Sequence, residues 1–399
     1  MKNKLVINKT DTKLKYDYLI HASVPVSEFW GISYPDCNDI LLNYDDLKEM
    51  TLNCRELATS NKKYLNDYKK YNYVLALKEF KVQQGRCFSM PFVLQASRTE
   101  QCNLSCLFCR PVPIKNFNTM EMEHWQEALE FLLPPVVEFV PYCWGEPLLD
   151  SCFGLTCELA ERYKTPVSII TNFQHFDEKI AEIVVTGVCR LLISVDTSRS
   201  ETFKTLRKGG SLRKIENNLS LLRMVADKAG MKIPWIGISA VLCKSNLNDL
   251  PQLIEWAADR GLLGLSARRM VIRENINKTL IGEGIDLLSD EYRDMHDKAA
   301  GTAKLNNMVL NMPTQIFSNA IGTTCPCPWT HIYLSPQGNL HLCAFSHGRI
   351  VGHIPVRPDY WNAKDITNLR LSFFNKQRCK ECASLDSIGA IEASQVRGY

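Results

Sequence analysis

Three cysteines within eight residues place the strongest constraint on this chain. Cys102, Cys106 and Cys109 form the pattern C-x3-C-x2-C, directly after a predicted strand. Three thiolates on one loop can ligate an iron–sulfur cluster or a soft metal ion. A structural metal site is normally closed by four ligands, so three leave one metal position open for a small molecule. A structural zinc loop is the alternative interpretation.

A second group of cysteines lies in the last fifth of the chain. A predicted β-hairpin, residues 330–342, is bracketed by cysteines, and a distal C-x2-C follows. Four thiolates and one spare suit either zinc or an iron–sulfur cluster, and the residues alone do not decide between them. The group consists of Cys325, Cys327, Cys343, Cys379 and Cys382.

Composition favours metal ligation over disulfides. The N-terminal residues lack the apolar run of a signal peptide, and no run of about 18 apolar residues exists, so we expect a cytoplasmic protein. Clustered cysteines in a reducing compartment are more often metal ligands or catalytic groups. The 47 basic and 43 acidic residues give a net charge of +4, which argues against nucleic-acid or membrane-surface partners.

Predicted strands and helices alternate from residue 91 onward. Strands are predicted at 92–97, 136–141, 167–170, 191–195, 236–242 and 265–272, the last being the final strand of the series. This alternation predicts a parallel sheet or barrel, in which chemistry gathers at the carboxyl ends of the strands. We expect three parts: an N-terminal extension (1–90) with one helix over 47–68, a core (91–310) and a C-terminal domain (320–385).

The cysteine loop, with Phe108 before its last cysteine, resembles the signature of the radical S-adenosylmethionine (radical SAM) superfamily. Trp144-Gly145-Glu146-Pro147 is similar to that family's Gly-Gly-Glu-Pro motif. The resemblance implies a partial (β/α)6 TIM-like barrel and a 4Fe–4S cluster on the three cysteines. It further implies that S-adenosylmethionine is cleaved reductively to a 5′-deoxyadenosyl radical, which abstracts hydrogen from a substrate.

The same resemblance implies a binding site for S-adenosylmethionine at the ends of several strands. Gly145 and Glu146 would receive its methionine amino group, Asn172 would contact the ribose, and Ser194 and Arg207 would hold the carboxylate and ribose. Each of the last three residues has an alternative interpretation as a cap or a surface residue.

The C-terminal pattern resembles the SPASM/twitch extension of radical SAM enzymes. Trp329, Trp361-Asn362 and Leu369-Arg370 fall at positions typical of that extension. Because no cysteine follows Cys382, the resemblance implies the twitch form with one auxiliary 4Fe–4S cluster. Either Cys325 or Cys327 is the first ligand, and the register favours Cys325.

Cys243, predicted at the end of the fifth strand, is a candidate hydrogen donor to a substrate radical. Some related epimerases use a cysteine in this way. A small apolar packing residue is the alternative interpretation, and Cys143 is a weaker candidate of the same type.

The sequence therefore predicts an enzyme of the radical SAM oxidoreductase or epimerase type. We expect a small-molecule substrate, such as a sugar or aminocyclitol, that is oxidised or epimerised. The alternative substrate is a ribosomally made peptide, and the competing class is a non-catalytic electron carrier or zinc scaffold. Flavodoxin or ferredoxin is the expected reductant.

Overall fold

The structure is a computed structural model, and it describes residues 43–109, 116–270, 278–313, 327–342 and 350–374. Within these described ranges, ten strands form two five-stranded sheets. The strands are β1 (Val93–Ala96), β2 (Glu138–Val140), β3 (Ser168–Thr171), β4 (Arg190–Ser194), β5 (Trp235–Leu242), β6 (Gly264–Arg269), β7 (Val309–Asn311), β8 (His331–Leu334), β9 (Asn339–His341) and β10 (Ile350–His353).

The two sheets form one open barrel wall. The first sheet has the order β10-β9-β8-β1-β2 and the second β3-β4-β5-β6-β7. A parallel bridge between Phe139 and Val167 joins β2 to β3. Eight parallel strands therefore follow one another from β8 through β1 to β7, with the opening between β7 and β8.

The predicted α/β barrel is confirmed, but its strand count is larger than expected. The strand predicted at 265–272 is not the last, because β7 and β8 add to the two ends of the series. Neither strand was assigned to the barrel from sequence, since β7 is only three residues long and β8 was assigned to the C-terminal hairpin alone.

Helices pack on the outside of this wall and share its apolar core. Apolar residues at helical spacing face the strands, and the helix Leu212–Ala229 ends at Gly230 in the left-handed region (φ 63°). The helices that follow residue 120 are α3 (Met122–Leu132), α4 (Phe153–Arg162), α5 (Glu178–Gly187), α6 (Ser200–Leu206), α7 (Leu212–Ala229), α8 (Lys244–Leu247), α9 (Leu250–Ala258), α10 (Asp290–Leu305), α11 (Cys327–Thr330) and α12 (Lys364–Phe374).

The N-terminal extension contains two packed helices where one was predicted. Helix α1 spans Tyr44–Ser60 and α2 spans Leu65–Lys81. The break falls at Asn61, whose extended backbone (φ −148°) ends α1 and whose side chain accepts a hydrogen bond from Lys63 N. The amphipathic pattern runs through this turn, which is why a single helix over 47–68 was the wrong expectation.

The C-terminal hairpin is confirmed and extended. Strands β8 and β9 pair antiparallel through a turn in which Gly338 has φ +80°, and β10 pairs with β9. None of the described helices is both long and apolar enough to cross a membrane.

Candidate active site

The cysteine loop follows β1 at the carboxyl end of the barrel. Its backbone is attached to the segment after α6, because Ser105 N donates to Lys208 O and Leu107 N donates to Leu206 O, each at 3.0 Å. These two bonds fix the path of the loop through protein contacts alone.

The three thiols of the loop influence one another electrostatically. Cys102 and Cys106 are partly buried, and Cys109 is exposed. Burial raises the pKa of the Cys106 thiol to about 12, Arg207 lowers it, and Cys109 and Cys102 raise it further. Three such thiolates repel one another unless a cation compensates them.

This donor set fits an iron–sulfur cluster. Within the described residues, no three His, Cys, Asp or Glu side chains are grouped so as to hold a single metal ion. A 4Fe–4S cluster instead receives its thiolates at different irons, so its cysteines need not converge on one point. The predicted open-site cluster at Cys102, Cys106 and Cys109 stays a prediction.

Gly145 allows the second loop of the site to approach the first. It has φ +136°, and a Cβ there would lie 2.8 Å from Thr99 O and 3.0 Å from Gln101 O. Glu146 N donates to Gln101 O at 2.8 Å. The loop after β2 therefore packs directly beside the residue that precedes Cys102.

Glu146 is buried, and its hydrogen bonds connect this loop to the end of β3. Its carboxylate accepts hydrogen bonds from the Thr171 hydroxyl, from Asn172 N at 2.7 Å and from Leu148 N at 3.2 Å. Desolvation raises the pKa of Glu146 to about 7, although these three donors and Arg207 oppose the shift. Its side chain is engaged within the protein, so the backbone of this motif is the part available to a ligand.

Asn172 contacts the cysteine loop. Its Nδ2 donates to Asn103 Oδ1 at 2.8 Å and lies 3.7 Å from Cys102 Sγ, and its Oδ1 accepts from Gln174 N. The structure therefore brings this predicted ribose contact to the first cysteine. Whether it also contacts S-adenosylmethionine stays a prediction.

Arg207 forms a buried, bidentate ion pair that sequence reasoning did not foresee. Its Nε and Nη2 donate to Asp196 Oδ2 and Oδ1 at 2.6 and 2.9 Å, and its guanidinium lies 5.3 Å from the Phe108 ring centroid. Asp196 Oδ1 also accepts from Val241 N. Only the fold brings these residues together. The signal available in the sequence was one acidic and one basic residue, Asp196 and Arg207, in the segment that follows the fourth predicted strand.

Cys243 lies in an apolar cluster behind the cysteine loop. Its side chain is fully buried with Leu206, Met270 and Leu280, and Leu107 and Phe108 of the loop pack against them. This environment agrees with the alternative packing role, and the donor role stays a prediction. Cys143 is partly buried two residues before Gly145, beside the Tyr333 hydroxyl.

The C-terminal motif residues converge on the end of the N-terminal extension. Trp329 Nε1 donates to Gln84 O at 2.8 Å, and Asn362 bonds both backbone groups of Cys87. Cys327 begins α11 and is buried. The other four predicted ligands, Cys325, Cys343, Cys379 and Cys382, lie outside the described residues.

Comparisons with known proteins agree with this geometry. Residues 97–257 match the Radical SAM superfamily. A GTP 3′,8-cyclase of Caulobacter vibrioides is 25% identical over 271 residues, covering 63% of this chain and 74% of that protein. A GTP 3′,8-cyclase of Peptoclostridium acidaminophilum is 30% identical over 128 residues, covering 31% of this chain and only 39% of the relative.

The fold is similar to that of the Streptococcus suis protein SuiB, seen in a crystal structure of SuiB bound to the precursor peptide SuiA. The TM-score is 0.60 at 17% identity, over 82% of this chain and 75% of SuiB. Residues 97–257 are thus a radical SAM domain, and the cofactors of that superfamily are a 4Fe–4S cluster and S-adenosylmethionine.

Proposed function

We propose that this chain is a radical SAM enzyme whose cluster is held by Cys102, Cys106 and Cys109. The observation that carries the proposal is the packing of three features of the matched domain: the cysteine loop, Gly145 and Asn172. When bound and reduced, the cluster supplies the electron that cleaves S-adenosylmethionine to methionine and a 5′-deoxyadenosyl radical.

The residues of the chain orient the two ligands. The three thiolates bind the cluster, and Gly145 exposes backbone where a side chain would collide with Thr99 and Gln101. Glu146 holds this loop against Thr171 and Asn172, which keeps the binding surface rigid. Ser194 is buried at the end of β4, where its hydroxyl would contribute to the same binding site.

The proposed substrate is a small molecule, which the enzyme oxidises or epimerises. A peptide is the second candidate, and the similarity in fold to peptide-bound SuiB supports it. Flavodoxin or ferredoxin would deliver the electron, and the C-terminal cysteines would bind one auxiliary cluster.

The test is made on anaerobically reconstituted protein. With dithionite and S-adenosylmethionine, we expect 5′-deoxyadenosine, detected by liquid chromatography and mass spectrometry, and about four irons per cluster. Cys106→Ala should abolish the product. Cys189→Ala, at an exposed cysteine on the α5–β4 turn, is the matched control and should keep it.

Three other outcomes are informative. Iron without cleavage in the wild-type protein, with either class of substrate added, contradicts the enzyme and favours an electron carrier. Zinc without iron favours a scaffold. Product in the wild type with about eight irons supports the auxiliary cluster as well.

A further inference from the structure

The ion pair between Glu138 and Arg190 shows which strand positions face the barrel interior. Glu138 lies on β2 and Arg190 on β4, yet β3 separates these strands in the wall. The two side chains therefore meet across the interior. Because side chains alternate along a strand, Leu192 and Ser194 point into the same space as Arg190.

Strand register extends this interior face across the second sheet. Ser194 is paired with Ser239, and Ser239 with Ser266. Paired residues on parallel strands lie side by side on the same face. Three hydroxyls, here called the serine row, thus line the interior at one level from β4 to β6.

The space beneath the serine row is filled. Trp235 is paired with Arg190, and its ring lies over Gly237 and Gly264, where added Cβ atoms would come within 2.5 and 2.9 Å of it. The serine row is therefore the first polar layer above this filled end of the barrel. Within the row, Ser239 is partly exposed.

Ser266 carries a hydroxyl whose bonding capacity is unused within the described residues. Its side chain is 2% exposed, and its Oγ has no hydrogen-bond partner there. A buried polar group without a partner is destabilising, because it has lost its hydrogen bonds to water. A buried hydroxyl normally has a hydrogen-bond partner, and a ligand in the barrel can supply one here.

Arg268 places a positive charge directly above Ser266. It lies two residues further along β6, so it faces the interior, and it is paired with Val241. Tyr142 follows β2, in the opposite wall of the barrel. Burial raises the pKa of the Tyr142 hydroxyl, and the charge of the Arg268 guanidinium opposes that rise. Arg269, in contrast, is turned to the other face, where its charge acts on Tyr292 of α10.

We propose that Ser239, Ser266 and Arg268 form a subsite for an oxyanion of the substrate, a carboxylate or a phosphate. Hydroxyl donors and a planar guanidinium are the groups that match such oxygens. β6 lies two strands from β4, about 10 Å at the usual strand spacing. Ser266 and Arg268 are therefore distinct from the residues of β4, but Val241, the β5 partner of Arg268, donates to Asp196, so the subsite adjoins the Asp196–Arg207 pair.

This inference rests on the proposed function and names the substrate class. It is tested on reconstituted full-length protein by calorimetric titration with inorganic phosphate and, separately, with acetate. We expect saturable binding of at least one anion. Arg268→Ala should weaken it at least tenfold and Ser266→Ala about threefold, whereas the adjacent Arg269→Ala, the matched control, should leave it unchanged.

Preference for phosphate would identify a phosphorylated substrate, and preference for acetate a carboxylate. Arg268→Lys, which keeps the charge but not the guanidinium, covers the case in which Arg268→Ala does not fold, and it should bind at intermediate strength. Equal losses in Arg268→Ala and Arg269→Ala, or no loss in either, overturn the subsite.

A third measurement separates the subsite from the cofactor. Uncoupled formation of 5′-deoxyadenosine, without substrate, should be the same in Arg268→Ala and wild type. If Arg268→Ala weakens S-adenosylmethionine binding as strongly as anion binding, the oxyanion is that of the cofactor and the substrate subsite is refuted. The radical SAM proposal would survive that result, since it depends on the wild-type product.

Discussion

Glu146 shows how a single buried carboxyl can organise a site. It is 3% exposed, and its oxygens receive three hydrogen bonds from residues on two loops. Burial nevertheless dominates and raises its pKa to about 7. The folded protein thus favours the protonated carboxyl, unlike most glutamates in ion pairs.

A pH dependence of stability follows from this shift. Since the folded pKa is raised above the usual 4.5, the stabilisation is complete below about pH 4.5 and is lost as the pH rises through about 7. We expect the free energy of unfolding to fall by about 2–3 kcal/mol between pH 5 and pH 8 from this group. Glu146→Gln should remove that component in urea unfolding followed by circular dichroism.

Glu123→Gln, at an exposed position of α3, provides the control and should retain the wild-type pH profile. An identical fall in stability for Glu146→Gln and wild type would show that Glu146 is not the titrating group.

Sequence patterns indicated which residues belong to the candidate site, but they did not indicate which of these residues contact one another. The cysteine spacing and the Gly-Glu-Pro turn were visible because each is local. The Asp196–Arg207 pair and the contact of Asn172 with Cys102 depend on which strand ends lie side by side. Such neighbourhoods are decided by strand order and register, which no local pattern encodes.

Among the elements, β5 and β6 illustrate how glycine and tryptophan are matched across a sheet. Gly237 and Gly264 are adjacent on the interior face, and the Trp235 ring occupies the space that their missing side chains leave. The arrangement closes the floor of the barrel without a large side chain on either glycine.

Gly237→Ala should therefore destabilise the fold. The new methyl group would lie 2.5 Å from the Trp235 ring, and overpacking of this kind costs about 1–3 kcal/mol. In a Trp235→Leu background the contact with the ring is removed and only the approach to Gly264 O at 2.8 Å remains. The same substitution should therefore cost less, giving a coupling that a double-mutant cycle of urea unfolding measures.

Gly282→Ala, where an added Cβ meets no atom within 4 Å, is the control and should be nearly neutral. Additive effects of Gly237→Ala and Trp235→Leu would refute the steric match.

The elements themselves were largely predictable, and the exceptions have physical causes. The strands between residues 91 and 270 carry the expected apolar pattern and fall within a few residues of their predicted bounds. Asn61 breaks the N-terminal helix through a single side-chain bond, and β7 is too short for periodicity to reveal.

At the scale of the whole molecule, Arg370 connects the two ends of the described chain. It is fully buried, and its guanidinium donates to Pro328 O at 2.7 Å and to Gly85 O and Asn362 Oδ1 at 3.2 Å. It also stacks 4.5 Å from the Trp361 ring centroid. The Leu-Arg position assigned from sequence to the C-terminal domain thus holds the N-terminal extension as well.

Arg370→Lys should loosen both ends together. An ammonium group lacks the planar fork that reaches three acceptors, so we expect a loss of about 2–3 kcal/mol in the free energy of unfolding. Hydrogen-exchange mass spectrometry should show faster exchange in residues 84–90 and 327–334. Arg357→Lys, at an exposed position, is the control, and unchanged exchange at 84–90 in Arg370→Lys would contradict this role.

The parallel pairing of β8 with β1 has a consequence for the flow of electrons. Cys327 lies just before β8, whose first residue is paired with the first residue of β1, whereas Cys102 follows the end of β1. Cys327 and Cys102 therefore lie toward opposite ends of one strand, at least about 10 Å apart along it. If Cys327 is a ligand of the auxiliary cluster, as proposed, a substrate beside Cys102 is separated from that ligand by the length of β1. The auxiliary cluster would then act as a remote electron reservoir.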